Sequence, residues 1–294
     1  MIKVRYRALT FCLLGMLLVV LPGAALAGQP QTSSDWLAKG QAFLTDGDYD
    51  SAYFAYCEAI RLDPGNAEAF YNRGLFFQMV KAHAFLAIAD YSRAVELDPT
   101  MVSAYENRGL LYGLTGQSAR AAADFAEVIK LDPEQTEAFY YRGLAYQQSK
   151  QYEKAVEDFS KAIEIRPDDA AAYSSRGECY IEQERYESAI ADYNQAIALK
   201  PGTALYFVNR GHAQGRLKNF EQALRDSYVA TKLEPSSVAA QFNLAQAFEL
   251  TGNRIGAQEH YKLALQGMPP DRSREREKAE ARLQGKWEGY QEWL

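Results

Sequence analysis

Five arginines, Arg73, Arg108, Arg142, Arg176 and Arg210, each stand directly before a glycine inside an aromatic run, as in "YNRGLFF" at Tyr71 to Phe77. A guanidinium carries a planar fork of donors that matches a carboxylate or phosphate, so five of them in register could form a ladder for an anionic ligand. They could equally be consumed inside the fold by carboxylates of the same chain. The sequence supplies such partners: Asp90, Asp124, Asp158, Asp192 and Asp226 follow the arginines at a nearly constant offset. Other chemistry is sparse. His83, His212 and His260 are dispersed without metal-ligand spacing. The glycines form no phosphate-cradling loop, and no serine sits in a nucleophile motif. No catalytic residue, metal ligand or cofactor-binding residue is therefore assigned, and no cofactor is expected.

The elements that hold these arginines follow from a period. Prolines at 64, 99, 133, 167, 201, 235 and 269 recur every 34 residues, with one extra residue in the first interval, inside the second unit defined below. Taking that proline as position 32 divides the chain into seven units, 33–66, 67–101, 102–135, 136–169, 170–203, 204–237 and 238–270. Position 8 is glycine in six units and Ala245 in the last, and position 20 is alanine throughout. Large residues, mostly aromatic, dominate positions 4, 11 and 24, with Gln241, Gln214 and Ser227 as departures near the end. Offsets of three and four place these residues on one helical face in each half of the unit. Each unit is thus two antiparallel helices, and the proline ends the second.

This pattern resembles the tetratricopeptide repeat, whose helix-turn-helix units of 34 residues stack into a right-handed superhelix. The resemblance covers residues 33 to about 270 and implies an all-α fold, an α-α superhelix of seven repeats closed by a C-terminal helix.

The arginine occupies position 7 and the aspartate position 23 in units two to six. Units one and seven carry Lys39 and Leu244 at position 7, and Ala55 and His260 at position 23. Both residues are present together or absent together, and shifting the comparison by one unit spoils the match. The pairs Arg73–Asp90, Arg108–Asp124, Arg142–Asp158, Arg176–Asp192 and Arg210–Asp226 are therefore read as structural and internal to each unit.

Family resemblance implies that first-helix positions 2, 5, 9, 12 and 13 line an inner wall. They carry Leu37, Tyr71, Leu75, Met79, Leu110, Leu114, Tyr140, Leu144, Ile181, Leu205, Val208, Phe242 and Leu250. So apolar a wall suits a peptide or helix as ligand, and packing between neighbouring units is the alternative use of the same residues. Asn72, Asn107, Asn209 and Asn243 match one element of the carboxylate clamp of some relatives. The lysines and arginine of that clamp are missing, so a chaperone-type clamp is not expected.

At the amino terminus, "MIKVRYR" and "ALTFCLLGMLLVVL" followed by "PGAALA" have the form of an export signal over residues 1–27, with 28–32 as a short linker. The apolar run falls short of the ~20 residues that span a bilayer, which disfavours a retained anchor. No cysteine follows Ala27, so lipid attachment there is not expected. Loss of Lys3, Arg5 and Arg7 takes the formal charge from −6 to −9, which disfavours nucleic acid and anionic lipid as partners. An exported, periplasmic or secreted chain without a transmembrane segment is expected. Cys57 and Cys179 lie more than three units apart and are read as unpaired, largely buried thiols.

The tail, 271–294, begins as a charged helix, and Leu283, Trp287, Tyr290 and Leu294 fall at offsets of three and four. It reads as a cap on unit seven, with a docking or dimerising segment as the alternative. The function expected from these readings is a non-enzymatic scaffold that holds a peptide or protein partner. It is similar in outline to bacterial envelope repeat proteins that gather cell-wall hydrolases or secretion components. A homo-oligomeric structural protein, a homodimer for instance, is the second reading and an enzyme the third.

Overall fold

The computed structural model describes residues 32–80 and 82–287. The export signal, almost all of the linker, Tyr290 and Leu294 lie outside these. Fifteen α-helices and no strand occur among the described residues. The first helices of the hairpins are α1 (Ser33–Thr45), α3 (Ala67–Met79), α5 (Val102–Leu114), α7 (Thr136–Gln148), α9 (Ala170–Glu182), α11 (Ala204–Arg216) and α13 (Val238–Leu250). The second helices are α2 (Tyr49–Leu62), α4 (Ala84–Leu97), α6 (Ser118–Leu131), α8 (Tyr152–Ile165), α10 (Tyr186–Leu199), α12 (Phe220–Leu233) and α14 (Arg254–Gly267). A last helix, α15 (Ser273–Leu283), packs on α14. The chain forms two compact units, Met1–Glu127 and Val128–Leu294.

Sequence dictates where each helix stops. The residue before the repeating proline is extended, at φ −139° for Asp63, −129° for Asp98 and −130° for Arg166, as ring sterics require. Between the two helices of a hairpin the chain takes one residue with positive φ: Gly47 at 78°, Gly116 at 75° and Gly252 at 88°. Lys150, Glu184 and Lys218 adopt the same conformation at 58–63° without being glycine. The following amide then bonds back five residues, as Asp48 N does to Phe43 O at 2.9 Å and Gln151 N to Tyr146 O at 2.8 Å. This closes the first helix and reverses the chain.

Within a hairpin the two helices meet at the small residues. A Cβ added to Gly40, Gly74 or Gly143 would stand 2.6, 2.7 or 2.8 Å from the ring of Tyr56, Tyr91 or Phe159. The opposite helix contributes Ala52, Ala87, Ala155, Ala189, Ala223 and Ala257, all fully buried. Close backbone approach with an aromatic filling the remaining volume is what gives each hairpin its core. No helix among the described residues is long and apolar enough to cross a membrane.

Candidate functional site: the first-helix wall and the arginines behind it

The five arginines are held in one geometry. Arg73 donates from Nε and Nη2 to the two oxygens of Asp90 at 2.8 and 2.7 Å. Arg108–Asp124, Arg142–Asp158, Arg176–Asp192 and Arg210–Asp226 repeat this bidentate pair at 2.6–2.9 Å. All five aspartates are buried. Burial works against the charge of Arg73 and Arg108, and the hydrogen-bonded carboxylates of Asp90 and Asp124 more than restore it. Each guanidinium also lies over the aromatic at position 4, at 5.5–5.7 Å from Phe70, Tyr105, Phe139, Tyr173 and Phe207. Those rings explain the aromatic run around the arginine: they cover the stem and face of a charged group taken out of water.

The remaining nitrogen, Nη1, reaches the preceding hairpin. Arg108 donates to Ser92 Oγ at 3.1 Å, Arg176 to Ser160 Oγ at 2.9 Å and Arg210 to Asn194 Oδ1 at 2.6 Å, while Arg73 approaches Cys57 Sγ at 3.7 Å. These four acceptors share position 25. Ser92 and Ser160 give their own protons to Ile88 O and Val156 O, which leaves a lone pair for the arginine. Sequence reasoning found the pair within the hairpin and missed this contact between hairpins. The signal was there, in a polar or sulfur residue at position 25 ahead of four of the five arginines. With Nε and Nη2 of every arginine held by an aspartate of its own hairpin, the ladder presents no free guanidinium fork to an anion. In hairpin seven, Leu244 is buried and His260 Nδ1 meets Gln241 Oε1 at 2.6 Å instead.

The predicted wall residues separate into three groups. Met79 and Leu114 are 74% and 83% exposed, and Leu205 is 50% exposed. Tyr71, Leu75, Leu110, Tyr140, Leu144, Ile181 and Leu250 are half-buried. Leu37, Val208 and Phe242 are buried, which corrects their assignment to an accessible groove. All three occupy position 5. Leu37 packs among Tyr56, Ala59, Ala69 and Phe76, Val208 among Phe207, Ala230 and Ala240, and Phe242 edge-on to Tyr261 at 5.4 Å. These three side chains at position 5 are taken up by packing, whereas Tyr71 and Tyr140 at the same position stay half-buried.

Position 9 changes character along the chain. Leu75, Leu110 and Leu144 give way to Glu178, His212 and Gln246. Glu178, on α9, accepts from Gln147 Nε2 on α7 at 3.0 Å and from Asn209 Nδ2 on α11 at 3.2 Å. Burial pushes its carboxyl upward against those two hydrogen bonds. Burial, reinforced by the Arg216 charge, pulls His212 down to about 4, and its Nε2 has no hydrogen-bond partner. The apolar emphasis of the sequence reading passed over these residues.

The tail departs from its expected stripe. Leu283 is exposed, whereas Lys278, Ala279 and Arg282 are buried against α14. Gly285, at φ 77°, ends α15, so the spacing from Leu283 to Trp287 crosses a turn and does not follow one helical face. Arg282, with no exposed surface, donates to Glu249 Oε1 at 2.7–2.8 Å and to Lys286 O at 2.6 Å, and its own carbonyl accepts from Gln258. Trp287 is half-buried beneath Arg254 and Arg282, whose guanidinium carbons lie 5.2 and 5.7 Å from its ring. Neither Cys57 nor Cys179 forms a disulfide, and the latter is buried and pushed up to about 12 by that burial. Among the described residues no cluster of three His, Cys, Asp or Glu is placed to hold a metal ion.

Family models for the tetratricopeptide repeat match residues 136–169, 170–202 and 102–135, and a related TPR repeat model matches 40–80 and 86–116. Comparison with curated proteins finds no match. Among solved structures, a tetratricopeptide repeat protein from Parabacteroides merdae is 21% identical at a TM-score of 0.63, covering 86% of this chain and 100% of its own. YrrB, described as a TPR protein with an unusual peptide-binding site, is 24% identical at 0.56 over 63% of this chain and 95% of its own. MamA is 27% identical at 0.54 over 59% and 94%. With the repeat models spanning more than half of the sequence and the hairpins built as described, the chain belongs to the tetratricopeptide-repeat family.

Proposed function

We propose that the protein is a non-enzymatic scaffold that holds a peptide or protein segment against the first helices within its compact units. The observation that carries this reading is the exposure of large apolar side chains on those helices, Met79, Leu114 and Leu205 above all, while each position-7 arginine is held by the aspartate of its own hairpin. Large apolar side chains left in water suit an extended or helical ligand, and the tetratricopeptide fold is an interaction fold in its relatives. YrrB's description as a peptide-binding protein agrees with this reading.

We also take residues 1–27 as an export leader, which places the scaffold in the periplasm or outside the cell. Support comes from the basic start, the short apolar run and the small residues at Ala25 and Ala27. Mass measurement of protein recovered from the envelope is expected to show a chain starting at Gly28, and an intact chain confined to the cytosol would overturn it.

The groove is tested by a photo-reactive residue placed at Leu205 on α11 and, as a control, at Glu221 on the outer face of α12. Leu205 is expected to capture a partner that Glu221 does not. Equal capture from both positions would overturn the groove. The tail serves as a cap in this reading, because α15 spends its buried face on α14.

A further inference from the structure

The first helices of hairpins two, three, five, six and seven pack on the second helix of the hairpin before. The guanidinium at position 7 reaches position 25 there, as Arg108 does to Ser92 and Arg210 to Asn194. The ring at position 4 shares a core with position 28: Ile197 packs in the cluster of Phe207, and Ile129 in that of Phe139. Position 21 belongs to the same seam, since Ile88 packs in the cluster of Leu111 and Ile190 in that of Ala213. Positions 21, 25 and 28 lie four and three residues apart, one stripe of a helix. That stripe reads apolar, small polar, apolar, as in Ile88, Ser92 and Val95 or Ile190, Asn194 and Ile197.

Hairpin one has the same face and no hairpin before it among the described residues. Trp36, Lys39 and Phe43 stand at positions 4, 7 and 11, all half-buried, and the Lys39 ammonium lies 5.4 Å from the Trp36 ring and 5.9 Å from the Phe43 ring. Phe70 and Phe77 hold the Arg73 guanidinium in the same way, at 5.7 and 6.0 Å. The difference is the carboxylate. Ala55 replaces the aspartate at position 23, and among the described residues Lys39 forms no ion pair. Asp35, one turn earlier, is drawn to the helix start, where it accepts from Thr32 N at 3.0 Å. Phe54, edge-on to Trp36 at 5.6 Å, extends the apolar surface and is 56% exposed. The fold thus answers the cation at position 7 with an acid in five hairpins and supplies none here.

We propose that this leading face of hairpin one docks an amphipathic helix of a partner protein. The helix lies where a preceding second helix would lie and sets an aspartate or glutamate, flanked on its stripe by two apolar side chains, against Lys39. Continuity with the packing inside the array gives the occupant its form, the stripe of positions 21, 25 and 28. Charge complementarity gives it the acid: a neutral acceptor suffices for an arginine that already holds an aspartate, whereas Lys39 has no counter-charge of its own. A lysine by itself would keep the end of an array in water. Trp36, Phe43 and the exposed Phe54 around it are surface that such an end does not require. The face uses positions 4, 7 and 11 and is separate from the groove proposed above.

The probe is a lactam-bridged helical peptide with isoleucine at i and i+7 and aspartate, asparagine or lysine at i+4, its binding to the full chain followed by fluorescence anisotropy. The aspartate peptide is expected to bind about ten-fold tighter than the asparagine peptide, with the lysine peptide weakest. Lys39→Met is expected to erase the difference between aspartate and asparagine, and Lys39→Glu to make lysine the preferred residue. Both variants are expected to melt like the wild type, because Lys39 belongs to no ion pair of the fold. Leu205→Asp, in the groove, is expected to leave the affinity of the aspartate peptide unchanged. Equal affinity for the three peptides, or a preference that survives Lys39→Met, would overturn the docked helix and leave the groove standing. So would no binding to the wild type, the result if residues 1–31 of the chain itself fill the face. Binding lost in Leu205→Asp and kept in Lys39→Glu would move the peptide to the groove and overturn the docked helix as well.

Discussion

Arg176 and Ser160 belong to different hairpins, yet guanidinium Nη1 and hydroxyl Oγ meet at 2.9 Å. The same arginine grips Asp192 of its own hairpin through its other two nitrogens. One side chain thus sets both the spacing of helices within a repeat and the seating of that repeat on the one before. Removing Ser160 Oγ while leaving the buried pair intact isolates the second role. Ser160→Ala is expected to destabilise the fold by about 1.5–3 kcal/mol, the range for a hydrogen bond to a charged group, seen as a lower urea midpoint. No change in midpoint would show that the contact between hairpins contributes nothing.

Breaking the pair itself is a larger insult. Asp158→Ala leaves Arg142 half-buried without its carboxylate, and a loss of about 3–5 kcal/mol is expected. The neighbouring surface substitution Asp168→Ala is expected to stay within about 0.5 kcal/mol. Equal melting temperatures for the two variants would refute the structural reading of the arginines.

Glycine at position 8 is not equally strict in every hairpin. A Cβ at Gly143 would stand 2.8 Å from the Phe159 ring, whereas at Gly211 the nearest atom is Asp226 Cβ at 3.3 Å, because Ser227 replaces the aromatic there. Gly143→Ala is expected to cost about 1–3 kcal/mol through overpacking. At Gly211 the gain in helix propensity, about 1 kcal/mol, is expected to offset much of the strain. Thermal melts of the two variants compare them directly, and an equal loss would mean that ring contact does not set the requirement.

His212 makes stability depend on pH. Its folded value of about 4 lies below the ordinary 6.5, so the unfolded chain takes up the proton first. The histidine's contribution is complete above pH 6.5 and drains away as pH falls toward 4, amounting to about 3 kcal/mol in all. His212→Leu, which restores the residue type of Leu75, Leu110 and Leu144, is expected to flatten the decline between pH 6.5 and 4. Parallel denaturation curves for both proteins across that range would contradict this.

Much of the fold was legible because its determinants are local and repeated. The proline at position 32, the glycine at position 8 and the aromatic at position 24 each act within one hairpin, so seven copies reinforce one reading. The arginine and aspartate could be matched because hairpins one and seven lack both. The partner at position 25 was harder to see, since Cys57, Ser92, Ser160 and Asn194 share polarisability or lone pairs but no residue type. Leu37, Val208 and Phe242 were misplaced because helical spacing gives the face a residue occupies and does not say how deeply the next hairpin covers it. Arg282 inverted the expectation for the tail: hydropathy places arginine outside, while the Glu249 carboxylate and the Trp287 ring together draw it in.

The three-way grip of the position-7 arginine gives hairpins two, three, five and six a plug on the leading side, seated in a socket at position 25 of the hairpin before. Such a joint is indifferent to which copy supplies either half. A duplication or loss of one whole hairpin leaves every arginine with the aspartate of its own hairpin and strands no charge. The terminal hairpins, with Lys39 and Leu244 in place of the plug, then mark where such growth leaves off.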